Sequence, residues 1–511
     1  MDTEVSPGVT ARSAVVADLH ELDRSLLHGI AWTSGAKWVG QLVAWASTLI
    51  VARLLTPEDY GLVGMASIYL GLITLVSDFG LGSAVITLRD LSEEQVAQLN
   101  GLAVLFGVAS CAVSCAAAIP LGHFFHAPQL PAVVVAMSAA LVITAFKTVP
   151  FSLLQREMRF RTLAFIETWR AVLLAVSMIG FAVFGLRYWT LVIGGLLSSA
   201  LSTAGTVLLR RHRFAWPRRE SLAHAMTFSK HILVGQVSWY AYSNADFLVA
   251  GRILGKVALG LYDLAWTLAY IPVEKMTALV TQVTPTFFAA LQRDLAALRR
   301  YLLSITEGLA LITFPVCLGM ALVAHDFVLL FLGDKWEGAI VPLRLLALSA
   351  GLRSITPLPA QVLNVVGESR FGMRCGAVMA VVLPGAFYLM GTRWGTEGLA
   401  LAWLLVFPLL MLPLYLRVFA RMQLTARAYL RALWPAASAS LVMGCTVLAV
   451  EWAVGQHASR AAQFTAEVTS GAAVYVLTCL LLHRERITAF RRAVRLSLGA
   501  SAPAGDAKAV A

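Results

Sequence analysis

Charge is scarce in this chain. Only 13% of its residues are Asp, Glu, Lys or Arg, 59% are hydrophobic, and mean hydropathy is +0.76. A soluble globular protein carries about 25% charged residues. The shortfall excludes a soluble enzyme and a disordered chain. Cysteine is scarce too. Cys111, Cys115, Cys317, Cys375, Cys445 and Cys479 all lie in apolar stretches, with no Cys-x-x-Cys pair. That excludes a disulfide framework and a cysteine metal site, and leaves small core residues. Residues 1–25 lack the compact apolar run of a signal peptide. Val15, Val16, Leu19, Leu22 and Leu26 are roughly helix-spaced there, as in a short amphipathic helix lying on a membrane.

Catalytic signatures are missing as well. The nearest string to a nucleotide-binding Walker A loop is Gly251-Arg-Ile-Leu-Gly255-Lys256. It is one residue short and has no Ser or Thr to meet magnesium. Neither His-Glu-x-x-His nor Gly-x-Ser-x-Gly occurs. The sequence therefore reads as a transporter rather than an enzyme, with no cofactor. His123 and His126, in the short run HFFH, read as loop residues.

What is present is a series of long apolar segments. They fall at 26–53, 60–87, 98–119, 131–154, 162–184, 188–209, 231–253, 258–287, 302–324, 338–366, 371–391, 396–416, 433–454 and 464–482. At about 20 residues per crossing, these make about fourteen spans, with twelve as the lower count. If the amino terminus is cytoplasmic, about 27 of the 40 Lys and Arg residues fall on the cytoplasmic side. Arg210, Arg211, Arg213, Arg218 and Arg219 cluster in one loop, and Arg484, Arg486, Arg491, Arg492 and Arg495 in the tail. This bias explains the net charge of +12 without nucleic acid. The expected plan is a cytoplasmic segment at 1–25 and an amino-terminal lobe at 26–210. A basic linker at 211–230 and a second lobe at 231–420 follow. Two extra spans at 421–483 and a basic tail at 484–511 complete it.

An ionised side chain at mid-bilayer costs about 2.5–3.5 kcal/mol on insertion scales, so it tends to face a wet cavity or a partner. In the first span Ser34, Lys37, Gln41, Trp45 and Thr48 share an arc of about 80°. In the seventh, Gln236, Trp239, Ser243 and Asp246 share a similar arc, flanked by Tyr240 and Tyr242. These stripes read either as cavity linings or as hydrogen bonds between helices. Glu167 and Arg170 are three apart and can pair. Arg353 lies near the middle of the tenth span, while Arg344 lies nearer a surface and can snorkel. Asp78, Lys147, Asp263, Glu274 and Lys275 are weaker candidates near span ends.

The chain also matches itself at an offset of about 199 residues, which implies a parallel repeat about an axis along the membrane normal. Arg53 pairs with Arg252, Leu55 with Leu254, Gly61 with Gly260 and Leu62 with Leu261. Two six-helix lobes around a cavity follow from such a repeat.

Four segments then carry a resemblance. They are Ala52-Arg-Leu-Leu-Thr-Pro-Glu-Asp-Tyr-Gly61, Ser77-Asp-Phe-Gly-Leu-Gly-Ser83, Gln155-Arg-Glu-Met-Arg-Phe160, and the run Asp246-x4-Gly251-x3-Gly255-x4-Gly260-x-Tyr262. Together they resemble the polysaccharide-transporter branch of the MOP superfamily over roughly 26–420. The fold implied is an all-α polytopic membrane protein, MATE-like, with two additional carboxyl-terminal helices. The activity implied is that of a Wzx-type flippase in a bacterial inner membrane, with both termini cytoplasmic. Its cargo would be an undecaprenyl-pyrophosphate-linked oligosaccharide, and its partners membrane lipid and polysaccharide polymerase or export proteins. On this reading Lys37, Arg170 and Arg353 hold the anionic part of the cargo, and Gln41, Trp45, Trp239 and Tyr242 contact glycan. Asp246 or Asp78 would couple transport to H+ or Na+. A cation-coupled drug exporter, a membrane-bound glycan-assembly enzyme and a non-transporting scaffold are the alternatives.

Overall fold

The structure is a computed structural model that describes residues 41, 43–88, 90–454 and 459–482. Lys37, the amphipathic segment within 1–25 and the basic tail at 484–511 lie outside the described residues. Among those described there is no strand. The helices are α1 (Val43–Leu54), α2 (Pro57–Asp78), α3 (Leu81–Thr87), α4 (Glu93–Phe124), α5 (Leu130–Arg156) and α6 (Phe160–Val183). They continue with α7 (Trp189–Leu209), α8 (Arg219–Ser243), α9 (Ala245–Val249), α10 (Lys256–Thr281), α11 (Thr284–Ala290) and α12 (Leu295–Phe327). The last six are α13 (Ile340–Ser354), α14 (Pro357–Val365), α15 (Ser369–Leu401), α16 (Phe407–Met422), α17 (Ala426–Val454) and α18 (Arg460–Leu482).

Ten described helices are long and apolar enough to cross a membrane. One of these apolar stretches, Ser369–Met422, is 54 residues long and bends at Trp394–Gly395. Gly395 has φ 59° and ψ −139°, a conformation that an L side chain resists. That bend separates the two spans expected at 371–391 and 396–416. The spans expected at 231–253 and 258–287 are not among the ten. They are the polar ones, carrying Gln236, Asp246, Asp263, Glu274 and Lys275.

Several expected boundaries shift. The segment 60–87 divides into α2 and α3, with the break at Phe79–Gly80. The segment 338–366 divides at Pro357, which has no N–H to continue the helix and instead starts α14. The basic linker is extended only as far as Arg218, since α8 begins at Arg219. The extended part is tied down. Ala215 N–H donates to Ala97 O (3.1 Å), and Asn100 Nδ2 donates to Arg213 O (3.2 Å).

The chain divides into two compact units. One comprises the described residues up to Leu55 and those within Tyr69–His123 and Pro128–Val237. The other comprises Thr56–Ile68, Phe124–Ala127 and the described residues from Ser238 to Leu482. The first has a core built from Leu81, Val85, Leu99, Val149, Leu153 and Leu222. The second has one built from Phe288, Leu302, Leu309, Leu358, Val362 and Val418. The extra helices α17 and α18 belong to the second unit and pack on α12. Tyr475 O–H donates to Leu311 O at 2.6 Å.

Within that second unit the start of α2 meets the start of α10. Both approaches are backbone to backbone, at Gly61 against Lys256 and at Gly260 against Pro57.

Candidate functional site

The seventh-span stripe ends in a break. Helix α8 stops at Ser243, and Asp246 sits in the first turn of α9. Its side chain is fully buried. A buried carboxylate is costly unless donors surround it. Here Tyr262 O–H and Trp403 Nε1–H both donate to Oδ2, at 2.8 and 2.7 Å. The other oxygen, Oδ1, is buried without a hydrogen bond from any described residue.

Trp403 also faces Arg353. The guanidinium carbon of Arg353 lies 4.1 Å from the Trp403 ring centre, 4.7 Å from Tyr270, 5.2 Å from Phe407 and 5.3 Å from Trp266. Trp266 and Tyr270 stack at 3.9 Å and 20°. Local sequence explains the box. Tyr262, Trp266 and Tyr270 recur every fourth residue along one face of α10. Trp403 and Phe407 are likewise four apart, where a π turn at Ala402–Val406 leads into α16. Arg353 enters from the last turn of α13. A cation over a ring is stabilised by about 0.5–2 kcal/mol, more where water is excluded. The rings surround the guanidinium, and the Tyr270 hydroxyl also meets it. Nη1 is buried and finds no acceptor among the described residues. Asp246 and Tyr242 are within electrostatic reach of the same guanidinium.

The first unit holds a second polar cluster. Arg170 Nε donates to Glu167 Oε2 at 3.0 Å, which is the pairing their spacing predicts. Thr148 Oγ1 donates to Asp78 Oδ1 at 3.4 Å. Lys147 Nζ donates to Ser202 Oγ at 3.4 Å and is within electrostatic reach of Asp78, Glu167 and Arg170. Lys147, a residue the sequence ranks among the weaker candidates, thus shares one polar region with Asp78, Glu167 and Arg170.

The remaining predicted residues are less gathered. Gln41 is half-buried. Trp45 is half-buried, and its indole N–H finds no acceptor among the described residues. Trp239 is 58% exposed on α8. Sequence reasoning singled out Tyr262 only as the end of a motif, and missed Trp266, Tyr270, Trp403 and Phe407. The fourfold aromatic spacing on α10 was the available signal, but aromatic stripes also fill ordinary cores. His123 lies in the last turn of α4 rather than in a loop, whereas His126 does lie in the turn that follows, where its Nδ1 accepts from Arg252 Nη1 at 2.9 Å.

Comparison with known proteins agrees with this architecture. Residues 50–341 match the family described as "Polysaccharide biosynthesis protein". The chain is 26% identical over 386 residues to "Lipopolysaccharide biosynthesis protein WzxC" of Escherichia coli (strain K12), covering 73% of this chain and 78% of that one. It is 24% identical over 493 residues to "Succinoglycan biosynthesis transport protein ExoT" of Rhizobium meliloti (strain 1021), covering 95% and 99%. Among solved structures, "Lipid II flippase MurJ, inward closed conformation" superposes with TM-score 0.70 at 13% identity, over 89% of this chain and 100% of that one. An inward-facing multidrug resistance MATE family transporter of the MOP superfamily superposes with TM-score 0.57 at 18% identity, over 76% and 96%. These two likenesses establish a MOP-like polytopic membrane fold.

Proposed function

Because the chain belongs to the polysaccharide biosynthesis protein family, we propose that it translocates a lipid-linked oligosaccharide across a membrane for polysaccharide synthesis. The cargo on this reading is an oligosaccharide repeat unit on undecaprenyl pyrophosphate. The membrane is the bacterial inner membrane, with both termini cytoplasmic, as the Lys and Arg distribution favours. The protein is a transporter without a catalytic step of its own, and polysaccharide polymerase and export proteins are its partners.

One observation carries the reading: Arg353 lies in a ring of four aromatic side chains beside buried Asp246. The physical problem is to hold a pyrophosphate in low dielectric. A guanidinium is always charged, is weakly hydrated and matches phosphate oxygens two at a time. With the cargo absent, Asp246 balances Arg353 electrostatically. When a proton or sodium ion neutralises Asp246, the balance is lifted and Arg353 is available to the cargo anion. Coupling to an ion gradient would then run through Asp246, with Asp78 as the alternative carboxylate. Arg170 and Lys37 supply further positive charge. Gln41, Trp45, Trp239 and Tyr242 contact the glycan through stacking and hydrogen bonds, while the lipid tail stays in the bilayer. Alternating access supplies the movement.

The test is translocation of a fluorescent undecaprenyl-pyrophosphate oligosaccharide in proteoliposomes, with and without an imposed proton or sodium gradient. Protein-dependent transfer is expected, accelerated by one gradient. If no such lipid crosses while a soluble cationic drug does, the reading fails and a drug exporter replaces it.

A further inference from the structure

A cavity of about 560 Å³ lies away from both polar clusters, between α12 and α17. Its walls come from one stripe of α12, where Arg299, Arg300, Leu303, Ser304, Glu307 and Leu311 recur every three or four residues, and from the first turns of α17 at Arg431. Small residues keep it open. Ala296 and Gly308 on α12, and Ala428 and Ala432 on α17, present no side chain long enough to fill the gap.

The chemistry of the lining is that of an anion site. Three guanidinium groups and a hydroxyl outweigh one carboxylate. Arg299 is fixed in place, since its Nη1 donates to Gln423 O at 3.3 Å in the turn between α16 and α17. Arg300 has its guanidinium 5.4 Å from the Tyr301 ring centre. Arg431 is exposed. Glu307 already takes part in an interaction within the protein.

The surroundings of the mouth distinguish a lipid from a soluble anion. Leu430 and Trp434, flanking Arg431 on α17, are 64% and 61% exposed, and Leu295 and Ile312 on α12 are also exposed. Large apolar side chains in such positions on membrane-spanning helices face acyl chains. Tryptophan and tyrosine beside arginine mark the level of lipid headgroups. The same end of the bundle carries Arg421 and Arg427. Basic pockets between membrane helices are suited to anionic headgroups.

We propose that this cavity binds the phosphate headgroup of an anionic phospholipid. Arg300 and Arg431 grip the phosphate oxygens, Arg299 closes the end of the pocket, and the acyl chains lie along Leu303, Leu311 and the exposed face of α17. The bound lipid joins α17 to α12 and so steadies the two carboxyl-terminal helices. The site is independent of the cargo assignment, and either can fail without the other.

The experiment is lipid retention by the purified full-length protein, read by native mass spectrometry and by the melting temperature. The probes are phosphatidylglycerol or cardiolipin, phosphatidylcholine, undecaprenyl phosphate and inorganic phosphate. Anionic phospholipid is expected to be retained and to raise the melting temperature, and phosphatidylcholine not. R300Q/R431Q should weaken retention about 5-fold per arginine, roughly 25-fold for the pair. R431Q alone alters only an exposed side chain, and serves if the double variant does not fold. Unchanged retention in the variants overturns the proposal, as does equal retention of phosphatidylcholine. Tighter binding of undecaprenyl phosphate would assign the pocket to the carrier lipid instead. Full occupancy by inorganic phosphate alone would show a site for a soluble anion. Either result overturns the assignment to phospholipid.

Discussion

Gly61 and Gly260 make the same contact twice. A Cβ on Gly61 would lie 1.6 Å from the carbonyl oxygen of Lys256, and one on Gly260 would lie 1.8 Å from that of Pro57. Pro57 and Lys256 are separated by the same offset as the two glycines. Each glycine therefore abuts the repeat-equivalent of the residue that abuts its partner, as a local twofold relation requires. Glu58 and Lys256 form an ion pair beside the contact.

Alanine at either glycine forces the two helix starts apart. Overpacking of this kind costs about 1–3 kcal/mol. Gly61→Ala and Gly260→Ala are expected to lower the melting temperature of the purified protein, and by similar amounts. Wild-type melting in both would show that the contact is not as close as described.

Arg353 is held by ring faces, which suits a planar guanidinium better than an ammonium. Arg353→Ala is expected to reduce translocation in proteoliposomes at least about tenfold, a loss of roughly 1.4 kcal/mol in the limiting barrier. Arg353→Lys should fall between it and wild type. Protein level should not change. Normal transport by Arg353→Ala would remove the anion-binding role.

Trp403→Phe keeps a ring against Arg353 but deletes the N–H that reaches Asp246. A buried acceptor that loses a donor costs about 1–3 kcal/mol. The loss should be smaller in an Asp246→Asn background, where the group is neutral. A double-mutant cycle on melting temperature measures the coupling. Strict additivity would argue against an ionised Asp246 in this bond.

Glu368 supplies a pH prediction outside the spans. The hydrogen bond from Arg417, at 2.9 Å, and then that from Arg421 hold its carboxyl below the usual carboxylate range. A group lowered on folding stabilises the folded state above its unfolded value, and that contribution is lost as pH falls through the folded one. Melting temperature should therefore decline more steeply with acid in wild type than in Glu368→Gln, in the window beginning just below about pH 4.3. Parallel curves would refute the link.

Much of the fold was legible because a bilayer imposes a simple demand, namely long apolar helices with the positive charge left at one side. The repeat was legible at Gly61 and Gly260, where backbone approach tolerates no side chain. The Glu167–Arg170 pair was legible because it is local. Helix breaks were less so. The turn at Trp394–Gly395 fell between two expected spans, whereas the start of α8 at Arg219 lay inside the expected linker. Arginine-rich sequence signals membrane-surface charge as readily in a helix as in a loop.

The sequence by itself determined the class of protein, the apolar helices and the buried charges that need partners. Only the tertiary structure decided who those partners are. Asp246 and Trp403 are 157 positions apart, and no periodicity of a single helix relates them. Arg353 reaches its four rings because α13 packs against both α10 and the π turn that leads into α16. Thr148 of α5 reaches Asp78, 70 positions earlier, through a contact that no local spacing shows. Local pattern fixes which face of a helix is polar, whereas the long-range packing of helices fixes what that face meets.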